Sequence, residues 1–254
     1  MRKPLPSPLH ILFADNVAIK KNLFRLDPPL EDVISDPNSI AMFYSDLAGE
    51  FMGASQYEGM GYVSVLCDTL LNVTASADPV ARLATITEEL GNIRYTDVIA
   101  EVQATDFSAI DDRSWLWQTC TEFGYYQTTD RGSNPFRSTL PLNIYVNTCQ
   151  DVFGVTVDAV RDSVDSTNAY YGERNFYTAT NVVATNGDVD PWHFLGKLDS
   201  QDDSVVTYLQ PGGTHCEEMF PTRDNVYVQN AQAIIRVNLD KWLNGSPNPV
   251  MRRT

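Results

Sequence analysis

No stretch of the chain approaches the roughly 20 consecutive apolar residues that a membrane helix requires. The opening Met1-Arg2-Lys3-Pro4-Leu5-Pro6 is basic but lacks an uninterrupted apolar run, so no export signal is readable there. Internal repeats, heptad series and low-complexity tracts are also missing, which excludes solenoid, coiled-coil and linker architectures. Basic residues are scarce: 18 Lys and Arg stand against 33 Asp and Glu, for a formal charge of −15. Such a balance opposes binding to nucleic acid or to an anionic membrane and is read as a means of solubility. Cysteines number only four, without a Cys-x-x-Cys spacing, which points to disulfides rather than zinc.

With 43% hydrophobic and 20% charged residues, the chain can bury a core and does not have the composition of a disordered protein. Its 254 residues suit one large domain or two small ones. Asn72-Val73-Thr74 and Asn244-Gly245-Ser246 are glycosylation sequons. Secretory features without a signal lead to the expectation that the amino-terminal part of a longer protein is absent.

Ile40, Phe43, Leu47 and Phe51 recur at helical spacing after the start signals Asp36-Pro37-Asn38-Ser39, which predicts a helix from Ser39 to about Tyr57. Asp78-Pro79 has the form of an N-cap followed by N1 proline, and Val80, Leu83, Ile86 and Leu90 mark one face of the helix it opens. The first hundred or so residues therefore read as mostly helical. After Arg113 the texture changes to short β-prone runs. In the first of these, Ser114 to Thr119, Trp115 and Trp117 would share a strand face.

Asn181-Val182-Val183-Ala184-Thr185 ends at Asn186-Gly187, and Ser204 to Leu209 ends at Pro211-Gly212-Gly213; both read as buried strands stopping in turns. A short helix fits between them, and a helix from about Asn225 to Leu243 follows, with Tyr227, Ala231, Ile234, Ile235, Val237, Leu239 and Trp242 on a broad apolar face. Strand, helix, strand, helix implies a parallel α/β sheet, whose ligands sit beyond the carboxyl ends of the strands.

Those strand ends carry Asp190 and His215, 25 residues apart, the length that one helix and one strand consume. Acid followed by histidine is the order α/β-hydrolases use after their nucleophile. The histidine takes a proton from a serine, and the aspartate fixes its tautomer and stabilises its cation. Metal readings fail on spacing. Asp188-x-Asp190 begins like a calcium loop, but its sixth position is His193 where glycine is required. His193, His215 and Cys216 lack the paired short spacings of a zinc site. No metal and no cofactor is expected.

Trp115 to Gly124, Asn186-Gly187-Asp188-Val189-Asp190-Pro191-Trp192 and Gly213-Thr214-His215-Cys216 occur together in this order. They resemble the prolyl carboxypeptidase, dipeptidyl peptidase II and thymus-specific serine protease family of serine exopeptidases. The resemblance is most specific from Ser114 onward and looser back to about Phe24. It implies an α/β-hydrolase with a helical insertion, so that residues 1–112 are the remainder of a helical cap and residues 113–254 the carboxy-terminal part of the hydrolase domain. It implies cleavage of short peptides near a chain end, often after proline, in a secreted or lysosomal setting. Asp190 matches the triad acid and His215 the base, with Asp188 a bystander. Glu122 and Trp192 are pocket candidates, Glu122 against the alternative of a buried structural carboxylate.

The resemblance further implies a Cys120–Cys149 disulfide and leaves Cys67 without its usual partner, because Phe24 to Pro28 contains no cysteine. Cys216 is unassigned, and oligomeric state is open. The family nucleophile lies in a Gly-Gly-Ser-Tyr-Gly-Gly segment upstream of the insertion, yet no Gly-x-Ser-x-Gly occurs in these residues. Gly53-Ala54-Ser55-Gln56-Tyr57 comes nearest but lacks the second glycine and falls in or at the end of a predicted helix. Two classes stay open: a peptidase fragment lacking its nucleophile, and a secreted protein that binds peptides or a partner without hydrolysis.

Overall fold

The computed structural model describes residues 23–87, 91–105, 110–130, 132, 134–174, 178–221 and 225–244. They divide into two compact units. One runs to Phe51 and resumes over Val65–Tyr170, and the other joins Met52–Ser64 to the chain from Tyr171 onward.

The first unit is helical, built on α1 (Leu30–Val33), α2 (Pro37–Gln56, to Phe51), α3 (Tyr62–Leu71, from Val65), α4 (Pro79–Thr85), α5 (Tyr95–Gln103), α6 (Ile110–Gln118), α7 (Leu142–Phe153) and α8 (Val157–Tyr171, to Tyr170). Helix α2 realises the expected helix and starts where Asp36 accepts the backbone N–H groups of Asn38 and Ser39 at 3.1 and 3.2 Å. This cap satisfies donors that a helix start leaves unpaired. Ser39 is fully buried, and its hydroxyl accepts the Tyr95 N–H at 2.9 Å, tying the start of α5 to the start of α2. Phe43 and Leu47 then enter a core with Phe24, Val33, Val80, Leu83 and Ile93. Asp78 caps α4 as expected, accepting the Val80 N–H at 3.0 Å. Leu90, also assigned to that helix face, lies outside the described residues.

The run Ser114–Thr119 is not a strand. Trp115 and Trp117 stand in α6, which Asp111 and Asp112 open. Carboxylates in a first turn favour the helix dipole, and tryptophan's β-preference reflects packing partners more than backbone. Trp117 has such a partner in Phe153, with ring centroids 5.1 Å apart at 81°, while both indoles remain about half exposed. A single π-helical turn, Thr119–Phe123, continues from α6 and places Cys120 beside Cys149 of α7. The two form a disulfide with Cα atoms 5.6 Å apart, buried against Val160. Closing a loop of this length contributes roughly 3 to 4 kcal/mol on the chain-entropy model.

In the second unit, β1 (Val182–Gly187) and β2 (Val205–Gln210) pair in parallel, Val182 opposite Val205 and Gly187 opposite Gln210. A 3₁₀ turn, Pro191–Leu195, occupies the crossover, and α9 (Val226–Asn244) packs against both strands through a face that buries Val228 and Ala231. The strands are half-buried rather than buried: only Gly187, Val205 and Gln210 are fully enclosed. The described sheet has two strands, so each has a partner on one side. Likewise, Tyr227, Val237 and Leu239 of the expected apolar face of α9 stay exposed.

Asn72 is exposed in the turn after α3, where its side-chain oxygen accepts the Thr74 hydroxyl at 2.6 Å and the Ala75 N–H at 3.1 Å. Asn244 ends α9, and the rest of its sequon lies outside the described residues.

Candidate active site

Both strands of the second unit stop at glycine-containing turns, and backbone hydrogen bonds zip these turns together. The Asp188 N–H donates to the Gln210 carbonyl at 3.1 Å and the Val189 N–H to the Gly213 carbonyl at 3.0 Å. The Asp188 carboxylate accepts the Gly212 N–H at 2.7 Å, so this residue pins one turn to the other and takes no part in the pair beyond it.

Asp190 comes next. Its extended backbone makes it the N-cap of the Pro191–Leu195 turn, and one carboxylate oxygen accepts the Trp192 N–H at 3.0 Å. The other accepts Nδ1–H of His215 at 2.8 Å. A carboxylate can only accept, so this bond places the imidazole proton on Nδ1 and leaves Nε2 as a base. Asp190 is buried, whereas the His215 side chain keeps 28% of its surface exposed. Nε2 makes no hydrogen bond among the described residues.

The histidine turn is held from below by Glu217. Its carboxylate accepts the Thr214 N–H and the Gln210 amide, each at 3.2 Å, and the Asn225 amide at 3.2 Å. Cys216, in the left-handed conformation at φ 53°, begins the following 3₁₀ turn. Burial raises its thiol pKa above the ordinary value, and the Glu218 and Asp190 carboxylates add to the rise. It carries no nucleophilic character of the kind an electropositive setting confers.

Segment 56–59 supplies contacts that sequence reasoning missed. The Gln56 carbonyl accepts the His215 N–H at 3.0 Å, and the Gln56 side-chain oxygen accepts the Trp192 indole N–H at 2.8 Å. Tyr57 packs edge-on against the imidazole with centroids 5.9 Å apart. Trp192 lies 6.3 Å from it by the same measure. A cavity of about 550 Å³ opens beside the histidine, lined by Tyr57, Thr214, Phe220, Pro221 and Val228 among others.

The structure thus brings together Asp190, His215 and Trp192. Glu122 belongs to the other unit, where it is exposed on the π-helical turn, so the alternative of a buried structural carboxylate is excluded. Ser55 sits within α2, not on a strand-to-helix elbow. His193 turns its Nδ1–H onto the Asp190 carbonyl at 2.6 Å. Among the described residues no three His, Cys, Asp or Glu side chains are grouped to hold a metal ion.

The model of the serine carboxypeptidase S28 family matches residues 12–235. The Caenorhabditis elegans protein K12H4.7 is 31% identical over 241 residues, which cover 85% of this chain and 47% of that protein. The human thymus-specific serine protease is 36% identical over 151 residues, 58% of this chain and 29% of its own. The bovine lysosomal Pro-X carboxypeptidase is 24% identical over 146 residues, 56% of this chain and 28% of its own. The chain spans about half the length of the first curated relatives it matches. No solved structure matches it.

Proposed function

The chain belongs to the serine carboxypeptidase S28 family of serine peptidases, and from that premise we propose that Asp190 and His215 are the acid and base of a serine exopeptidase whose nucleophile comes from outside these 254 residues. The observation that carries this reading is the 2.8 Å bond from His215 Nδ1 to the Asp190 carboxylate, at the carboxyl ends of two adjacent parallel strands. On this reading residues 1–112 are the remainder of a helical cap and residues 113–254 part of an α/β-hydrolase domain.

In the reaction, His215 Nε2 removes the serine hydroxyl proton as that oxygen attacks the scissile carbonyl carbon, and the proton then passes to the leaving amine. Asp190 keeps the imidazole in the required tautomer and stabilises the cation that forms. Water repeats the sequence to release the acyl group. Trp192 and the cavity beside His215 form part of the wall against which a short peptide, with proline near the scissile bond, is held. The name of the bovine relative supports a lysosomal setting, a secreted one belongs to the same reading, and Asn72 and Asn244 are the sites at which such a protein carries glycans.

The test compares this chain with the same residues joined to an upstream segment bearing the Gly-x-Ser-x-Gly serine, using a fluorophosphonate probe and a proline-containing dipeptidyl substrate. Labelling and turnover only in the longer protein, lost on His215→Ala, is the expected result. A second reading, a secreted protein that binds peptides without cleaving them, rests on the absence of any Gly-x-Ser-x-Gly from the chain. It prevails if the longer protein binds the substrate and leaves it intact.

A further inference from the structure

The final carbonyls of a helix have no partner within it, and they form the negative end of its dipole. Gln56 is the last residue of α2, and its carbonyl is filled by the His215 N–H at 3.0 Å. Its side chain reaches the second turn of the site, accepting the Trp192 indole N–H at 2.8 Å. One residue therefore holds both turns: the one that carries His215 and the one in which Asp190 caps Trp192. The neighbouring residues reinforce the grip. Tyr57 packs edge-on against the imidazole, and Gly59 passes so close to Thr214 that a Cβ there would lie 2.9 Å from the threonine hydroxyl.

We propose that Gln56 is a positioning residue of the acid–base pair, holding Asp190 and His215 in register through its two hydrogen bonds. The proposal rests on the reading of Asp190 and His215 as the catalytic pair. The two hydrogen bonds of Gln56 go to the His215 backbone and the Trp192 indole, not to the imidazole nitrogens or the Asp190 carboxylate. Gln56 acts by fixing the backbone of His215 and the indole of Trp192, and so the 2.8 Å bond between His215 and Asp190.

The experiment is proton NMR on the chain as it stands, following the Trp192 indole N–H and the low-field Nδ1–H of His215. Gln56→Met keeps the length of the side chain and removes its acceptor, whereas Gln56→Glu keeps an oxygen there. In Gln56→Met the Trp192 indole proton exchanges about tenfold faster, as expected for one lost hydrogen bond in a part-buried setting, and the His215 Nδ1–H signal broadens or disappears. Gln56→Glu retains both signals. If Gln56→Met does not fold, Trp192→Phe breaks the same bond from its other end and weakens the His215 signal likewise. An Nδ1–H signal unchanged in a folded Gln56→Met protein overturns the proposal, as does a Trp192 indole proton that exchanges freely in the parent chain. These signals report the geometry of the pair and not hydrolysis, so they distinguish failure of Gln56 as a brace from failure of the peptidase reading, which the probe and substrate assay decides.

Discussion

A Cβ added to Gly187 would stand 2.2 Å from the carbonyl oxygen of Gly213. That contact joins the last residue of β1 to the turn beyond β2, three residues before Asp190 and two before His215. Neither neighbour is a flexible side chain, so the backbones themselves must part to admit a methyl group. Gly187→Ala is expected to destabilise the fold by about 2 to 3 kcal/mol, at the upper end of overpacking costs. A denaturant melt measures the loss, and an unchanged midpoint would show that the turns separate freely.

The elements legible in the sequence are those whose signals are local. Asp36 and Asp78 announce helices within a few residues of where they cap them, and the two valine-rich runs end at the glycines that stop β1 and β2. The meeting of Asp190 and His215 was readable because order and spacing along a parallel sheet fix which strand ends meet. Trp115 and Trp117 misled because aromatic residues prefer strands only where a sheet supplies neighbours, and here the neighbour of Trp117 is Phe153 on a helix. The bond from Trp192 to Gln56 spans 136 positions, and nothing local marks a glutamine at a helix end as its partner. Half-buried strands were also unreadable, since valine content reports the capacity to be buried and not the number of neighbouring strands.

The cysteines give a chemical check on the fold. Cys120 and Cys149 are linked and fully buried, Cys67 is exposed and Cys216 is half-buried with a raised thiol pKa. Only the thiolate reacts with alkylating agents, so a raised pKa and restricted access both slow the reaction. Under non-reducing conditions iodoacetamide is expected to modify the exposed Cys67 first and Cys216, half-buried and with its thiol pKa raised by burial and the neighbouring carboxylates, more slowly. Peptide mapping should recover a Cys120–Cys149 linked peptide. A Cys67–Cys216 link with Cys120 alkylated would contradict the structure.

The tautomer argument predicts a graded loss of activity in a protein that contains both this chain and its nucleophile. Asp190→Asn can still donate or accept a hydrogen bond but no longer stabilises the imidazolium, and it permits the wrong tautomer. A fall of about 10⁴ in kcat is expected on the precedent of serine-protease triads. His215→Ala should cost as much or more, and the double variant little beyond the worse single one, because members of such a unit are not additive. Independent, multiplying effects in the kinetics would mean that the two residues do not act as a pair.

Asp46 gives the fold a dependence on pH that lies apart from this site. It sits half-buried in α2, and burial first, with the Glu50 carboxylate one turn later adding to it, raises its pKa from 3.8 to about 6. A carboxyl group with a raised folded pKa binds its proton more tightly in the native state than in the unfolded one. Stability from this group therefore falls as pH rises from about 4 through about 6, and the charged form is penalised above that range. Asp46→Asn removes the penalty. It is expected to stabilise the protein by about 1 to 2 kcal/mol at pH 7, less than the full linkage value because the carboxylate keeps contact with water. Near pH 4 and below, where the parent carboxyl is already neutral in the folded state, the gain should vanish. Urea melts of both proteins across this range measure the difference directly. A gain of equal size at pH 4 and pH 7 would mean that the substitution acts through packing or helix propensity and that the Asp46 charge carries no cost in the fold.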